Sequence, residues 1–256
     1  MIQLTHALAD KLFQLPSNDL PAARTDEDYR TALTGKVMMV FGGSYGIGAD
    51  IAELATGFGA TVHAFSRSGT DTHVERRGDI AAAVRRVLAE SGRIDFVINT
   101  AGVLPRGTLL ETSEEAVYAA TEINYLAPVF IAQEVVRHLQ QTGGAILLFT
   151  SSSYTRGRGG YSLYSSAKAA VVNLTQALAD EWSAEGVRIN CINPERTATP
   201  MRKRAFGSEL GDSLLESSVV ARASLDVLLA AHTGQIVEIR KADQLFAQGL
   251  YPESRL

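Results

Sequence analysis

The chain has 256 residues, 46% hydrophobic and 20% charged, with a net charge of −4. That composition supports a sizeable globular core and argues against a protein that coats nucleic acid or another polyanion. The single cysteine, Cys191, excludes an intrachain disulfide and fits a cytoplasmic setting. No apolar run is long enough to span a bilayer, and the opening MIQLTHALADKLFQLP lacks the basic and apolar regions of a signal peptide.

Residues 1–34 stand apart from the rest. Pro16, Ser17, Asn18, Asp19 and Pro21 form a breaker cluster after a short helical pattern, and an acidic patch follows at Asp26, Glu27 and Asp28. The stretch reads as an extension or linker ahead of a domain over 35–256. From Gly35 onward, β-rich apolar runs recur at Lys36–Phe41, Thr61–Ser66, Asp95–Asn99, Ala145–Thr150, Val187–Asn193 and Gln235–Ile239. Helical periodicity fills most of the gaps, over Ile47–Phe58, Ile80–Glu90, Glu114–Leu139 and Leu163–Glu185. This alternation predicts one α/β domain of doubly wound, Rossmann type, with a parallel sheet of about seven strands and helices on both faces. Between Ser66 and Asp79 the segment RSGTDTHVERRG is too short for a crossover helix, and a loop or single turn is expected there.

The first run leads into Phe41-Gly42-Gly43-Ser44-Tyr45-Gly46-Ile47-Gly48 and then a helix. A strand, a tight glycine turn and a helix N-terminus together make a phosphate site from backbone N–H groups and the helix dipole. Gly42, Ser44, Tyr45, Gly46, Ile47 and Gly48 are therefore candidates to cradle a dinucleotide pyrophosphate. The second run ends in Ser66, Arg67 and Ser68 with no acidic residue. Nothing repels a ribose 2′-phosphate there, and the Arg67 guanidinium can bond one, which favours NADP(H). Asp79 and Ile80, and then Asn99, Ala101 and Gly102, are expected at later strand ends, flanking the adenine and its ribose.

Tyr164-Ser165-Ser166-Ala167-Lys168 opens a long helical pattern. Residues four apart share a helix face, and an ammonium beside a phenol of ordinary pKa ~10 would lower that value toward a useful range for acid–base work on a carbonyl/alcohol couple. Ser151 ends the preceding strand, where its hydroxyl can hold a reacting carbonyl oxygen, although Ser152 or Ser153 could take that role. Asn124 is a polar residue inside an apolar helical pattern, either a satisfied buried amide or a support for Lys168. The five histidines are scattered without metal-ligand spacing, so no catalytic metal is expected.

FGGSYGIG, NTAG, Asn124, Ser151, YSSAK and NPERTATP follow one another in an order that resembles the short-chain dehydrogenase/reductase family over about residues 35–240. The resemblance implies that Tyr164 exchanges the proton and that Lys168 holds the nicotinamide ribose. It further implies that Ser151 orients substrate, Asn124 completes a proton relay, and Pro194, Thr197 and Thr199 border the nicotinamide. It also implies a homodimer or homotetramer. The sequence departs from the family pattern at Phe41, Thr100 and Glu195 and lacks the trailing glycine pair after the last strand. Within the family, the strings SRSGTDTHV and RINCINPERTATPMR resemble the reductase portion of bifunctional ribitol-5-phosphate cytidylyltransferase/reductase proteins, which implies D-ribulose 5-phosphate as substrate. Arg156 and Arg158 in the loop after Ser151, and Arg196 beside Pro194, are candidate phosphate ligands, with Ser153 a further candidate contact. A general carbonyl reductase and a non-catalytic nucleotide sensor are the competing readings. No membrane or nucleic-acid partner is expected.

Overall fold

The computed structural model describes residues 20–210 and 213–243. Its sheet consists of β1 (Val37–Phe41), β2 (Thr61–Phe65), β3 (Phe96–Asn99), β4 (Ala145–Phe149), β5 (Arg188–Pro194) and β6 (Ile236–Ile239), in the spatial order β2-β1-β3-β4-β5-β6. Every neighbouring pair is parallel. Parallel strands need crossovers that cover both faces, which is why β1 reads VMMVF and is buried at all five positions. Alternate residues serve opposite layers. Met39 and Phe41 pack under α4 (Arg77–Ser91), α6 (Ala127–Thr142) and α7 (Ser162–Trp182), whereas Met38 and Val40 pack under α1 (Asp26–Leu33), α2 (Ile47–Gly57) and α9 (Ser217–Leu229). No helix among the described residues is long and apolar enough to cross a membrane.

The doubly wound parallel sheet follows the sequence expectation, with six strands among the described residues rather than about seven. The short connector accounts for the difference. After β2 the chain makes only one turn of helix, α3 (Arg67–Thr70), capped by the Ser66 hydroxyl, and enters α4 at Arg77. That leaves no length for a further strand and makes β2 an edge. Asp79 and Ile80, expected at a strand end, lie instead in the first turn of α4. There the Asp79 carboxylate accepts from the His73 N–H at 3.0 Å, and Ile80 is fully buried in the core.

The segment before Gly35 also differs from expectation. Residues up to 19, including the short helical pattern and most of the breaker cluster, lie outside the described residues. Residues 26–33, expected within a linker, form α1. Thr25 and Asp28 close its N-terminus as a reciprocal capping box, and the acidic patch occupies the first turn, where it complements the helix dipole. Tyr29 and Leu33 are fully buried. The Tyr29 ring stacks on Phe58 at 4.8 Å, and its hydroxyl donates to the buried Asp226 carboxylate of α9 at 2.7 Å. Arg24 adds a backbone N–H to the same carboxylate, and its guanidinium donates to the Asp226 and Leu229 carbonyls. Periodicity over eight residues is a weak signal, so the docking of this amphipathic turn was hidden behind its acidic composition.

Truncation of Tyr29→Ala removes a fully buried aromatic and leaves Asp226 short of a donor. A loss of about 3–5 kcal/mol in unfolding free energy is expected by urea titration. A change near zero would return residues 26–33 to linker status.

Candidate active site

The strand order reverses direction between β1 and β3, and the connections that leave the carboxyl ends of those two strands run to opposite faces of the sheet, opening a crevice. The glycine turn after β1 forms its floor. A Cβ on Gly42 would sit 2.6 Å from the Ala101 nitrogen, and one on Gly48 would sit 2.4 Å from Thr100 Oγ1 and 2.5 Å from the Gly42 oxygen. Both positions therefore require bare backbone. Gly46, at φ 61°, caps α2 with no side-chain hydrogen bond to the first turn, so the helix begins with free N–H groups facing the crevice. Two departures from the family pattern make sense here. Thr100 donates its hydroxyl to the Phe41 and Gly42 carbonyls at 3.0 and 3.2 Å, bracing the turn. Phe41 is fully buried and stacks on Phe65 at 5.5 Å.

Two cavities meet at this end of the sheet. The first is a trough running from Ser66 and Arg67, past Gly42, Tyr45, Gly46, Ile47 and Gly48, along Ala101 and Gly102, to Tyr164, Lys168, Pro194 and Thr199. Its bare-backbone floor, helix N-terminus and terminal arginine fit a nicotinamide dinucleotide. Ser44 and Ser68 stand at its outer lip, their hydroxyls 3.5 Å apart. Asn99 lies behind the wall, its side chain accepting from the Ala101 N–H at 3.1 Å. With Asp79 and Ile80 withdrawn into α4, the trough is bordered at that end by Thr72, Val74 and Glu75. These residues were missed from sequence because they sit in an irregular connector without periodicity. Arg67 is close enough to Glu75 to help hold its carboxyl below the usual range.

The second cavity shares Tyr164, Pro194 and Thr199 with the trough and adds Ser151, Ser152, Arg158, Tyr161, Arg196, Thr197, Arg202 and Phe206. Of the arginines expected near a substrate, Arg158 and Arg196 line it. Arg156 is exposed and lines neither cavity. The three serines separate by burial. Ser151 lines the cavity beside Tyr164, Ser152 is exposed at its edge, and Ser153 is buried behind, donating its hydroxyl to Ser151 Oγ at 3.3 Å. Thr197 is buried with its hydroxyl on the Glu195 carbonyl at 2.8 Å. Thr199 caps α8 (Pro200–Phe206), accepting from the Arg202 N–H at 3.2 Å, and its methyl faces Gly46.

Helix α7 delivers Tyr164 and Lys168 one turn apart, both 6% exposed. Two bonds tie this turn to the end of β4. Thr150 Oγ1 donates to the Lys168 carbonyl at 2.7 Å, and Lys168 Nζ donates to the Phe149 carbonyl at 2.8 Å. Burial pushes the Tyr164 phenol up to about 12, while Ser151 and, at longer range, Arg202 act in the opposite direction. Burial also brings the Lys168 ammonium down to about 8. The expectation that Lys168 itself lowers the phenol is thus not met in this arrangement. Its Nζ is turned to the Phe149 carbonyl and lies 5.6 Å from the centre of the Tyr164 ring.

Asn124 lies in a π-helical turn, Glu122–Leu126, that interrupts an otherwise continuous helix between α5 (Glu114–Thr121) and α6. Fully buried, it accepts from the Val103 N–H at 3.1 Å and donates to the Val103 carbonyl at 2.9 Å. Its direct partner is therefore the backbone after β3, and Lys168 Nζ lies across Gly102 from it.

Residues 36–209 match the short chain dehydrogenase family. The chain is 44% identical over 241 residues to a bifunctional ribulose 5-phosphate reductase/CDP-ribitol pyrophosphorylase of Haemophilus influenzae, covering 93% of this chain and 50% of that one. It thus spans half the length of that relative. It is 32% identical over 209 residues to D-threitol dehydrogenase of Mycolicibacterium smegmatis, covering 74% of this chain and 80% of that one. Among solved structures, a short chain dehydrogenase from Burkholderia cenocepacia in complex with NADP superposes with a TM-score of 0.76 at 26% identity, covering 82% of this chain and 98% of that one. The chain belongs to the short-chain dehydrogenase family and is an oxidoreductase built to bind a nicotinamide dinucleotide.

Proposed function

We propose that the protein reduces D-ribulose 5-phosphate to D-ribitol 5-phosphate with NADPH. The observation that carries this reading is that Tyr164 lines both the dinucleotide trough and a second cavity bordered by arginines. A proton donor shared by a cofactor site and a cationic pocket suits a carbonyl compound that carries an anion. The reductase named in the Haemophilus influenzae relative has this substrate class. A neutral polyol substrate would make no use of Arg158 and Arg196.

In this reading the Gly42–Gly48 turn and the N-terminus of α2 hold the pyrophosphate, Arg67 meets the 2′-phosphate, and Lys168 takes a ribose hydroxyl. The bound nicotinamide supplies the hydride to the carbonyl carbon. Ser151 donates a hydrogen bond to the carbonyl oxygen, and the adjacent Ser153 hydroxyl keeps Ser151 oriented. Tyr164 gives its phenolic proton to the same oxygen as negative charge develops there. A phenol held at about 12 by burial stays protonated throughout the neutral range, which suits the reductive direction. Asn124 fixes Val103, and with it the strand end that faces Lys168. In the same reading residues 35–256 make up the reductase domain and residues 1–34 an extension or linker whose helix α1 docks on it. Self-association through α6 and α7 belongs to the same reading.

Three outcomes are expected. With NADPH and D-ribulose 5-phosphate, nicotinamide absorbance should fall, and Tyr164→Phe should lower kcat by about 10²–10⁴-fold with NADPH binding retained. Unimpaired turnover by that variant would remove Tyr164 from the reaction. Arg67→Ala should raise the KM for NADPH by about 10-fold or more while sparing that for NADH. An equal effect on both would deny the 2′-phosphate contact. Finally, because burial brings Lys168 down to about 8 in the free enzyme, kcat/KM for NADPH should fall as pH rises through about 8, where Lys168 loses its charge and its donor strength toward the ribose. A profile flat to pH 10 would show that the Lys168 charge is not used.

A further inference from the structure

Arg202, which lines the second cavity, is already engaged by a carboxylate. Arg202, on α8, presents its guanidinium edge to Glu209, with Nε 2.6 Å from one carboxylate oxygen and Nη2 2.8 Å from the other. Both side chains are largely shielded from solvent, at 18% and 22% exposed. The chain reaches this contact by reversing at Gly207, whose φ of 76° ends α8 and brings Glu209 back over it. The Arg202 hydrogen bonds hold the Glu209 carboxyl below its usual range, and Arg196, which also lines the cavity, adds to this at longer range. Arg202 is also near enough to Tyr164 to favour the phenolate. This guanidinium is therefore within electrostatic reach of the proton donor.

The guanidinium is held in place from behind. It lies over the Phe206 ring at 4.6 Å, and Arg106 lies over the same ring at 4.6 Å. Arg106 also donates to the Ala205 carbonyl at 3.0 Å, fixing the last turn of α8 to the loop after β3. A planar fork with fixed orientation suits a two-point acceptor. A carboxylate offers two oxygens and one charge, whereas a phosphate monoester offers three oxygens and up to two charges, so it can take the same two N–H bonds more strongly. Arg158 is solvent-exposed and lacks such buttressing.

We propose that Arg202, with Arg196 beside it, is the specificity-determining seat for the substrate phosphate, and that Glu209 holds this seat until the phosphate displaces it. The proposal rests on the sugar-phosphate reading above and names the residue that enforces it. A purely structural ion pair would make loss of either partner harmful in the same sense. A placeholder makes the two losses opposite in sign.

The test compares Arg202→Met and Glu209→Gln with the unaltered holoenzyme. It measures kcat/KM for D-ribulose 5-phosphate against unphosphorylated D-ribulose, and inorganic phosphate binding by calorimetry. Arg202→Met should reduce the preference for the phosphorylated ketose by about 10–100-fold and weaken phosphate binding. Glu209→Gln should lower the KM for the phosphorylated ketose severalfold and tighten phosphate binding. Shifts of both variants in one direction, or an Arg202→Met enzyme with its preference intact, would overturn the assignment. If the unaltered enzyme does not prefer the phosphorylated ketose, the sugar-phosphate reading fails on its own. The seat is then judged by inorganic phosphate alone, and it falls if phosphate does not bind or if the two variants do not move its affinity in opposite directions.

Discussion

The site depends on one close approach, between the turn that leaves β1 and the turn that leaves β3. At Gly42 and Gly48 the backbones come so near to Thr100 and Ala101 that no Cβ can be accommodated. This contact fixes the N-terminus of α2 relative to the sheet, so the helix begins at the crevice with its N–H groups available. It also anchors the β3 end, from which Gly102 and Val103 run on to meet Asn124. The two walls of the trough are thus one packed unit, and the glycine turn and the region around Lys168 share a rigid reference.

A second fixed point is the end of β4. Thr150 and the Phe149 carbonyl take hold of Lys168 from both its main chain and its side chain. Tyr164, one turn earlier on α7, is thereby aimed at Ser151. Burial moves the two groups in opposite directions, since it disfavours phenolate and ammonium alike. The same desolvation that keeps the phenol protonated weakens the hold of the neighbouring cation on its proton. Burial, rather than a direct pairing of the two charges, sets the protonation of this pair.

Much of this was legible in the sequence because it is written in regular spacings. The alternation of β-rich and helical runs carries the doubly wound sheet. The Gly42–Gly48 turn and the Tyr164–Lys168 interval carry the crevice and the phenol and ammonium that line it. Three features were not legible, each for a physical reason. Asp79 and Ile80 were assigned by position after a short connector, and only the three-dimensional path reveals that the missing length pulls them into the first turn of a helix. Helix α1 is too short for its periodicity to outweigh its acidic surface, and its stability comes from Asp226, almost two hundred residues away. The Arg202–Glu209 pair depends on a chain reversal at Gly207, and a run reading MRKRAFGSE gives no hint that one of its cations is already engaged.

Shortening the connector after β2 has a further consequence, which concerns how the molecule meets other molecules. Among the described residues β2 is the terminal strand of the sheet, so one row of its backbone N–H and C=O groups has no neighbouring strand there. Such a margin is a template for unwanted pairing with other chains. The strand carries the polar side chains of Thr61 and His63, the latter tied to Ser91 at 2.9 Å beside Glu90. These polar groups work against the sheet-to-sheet pairing that an apolar margin would invite.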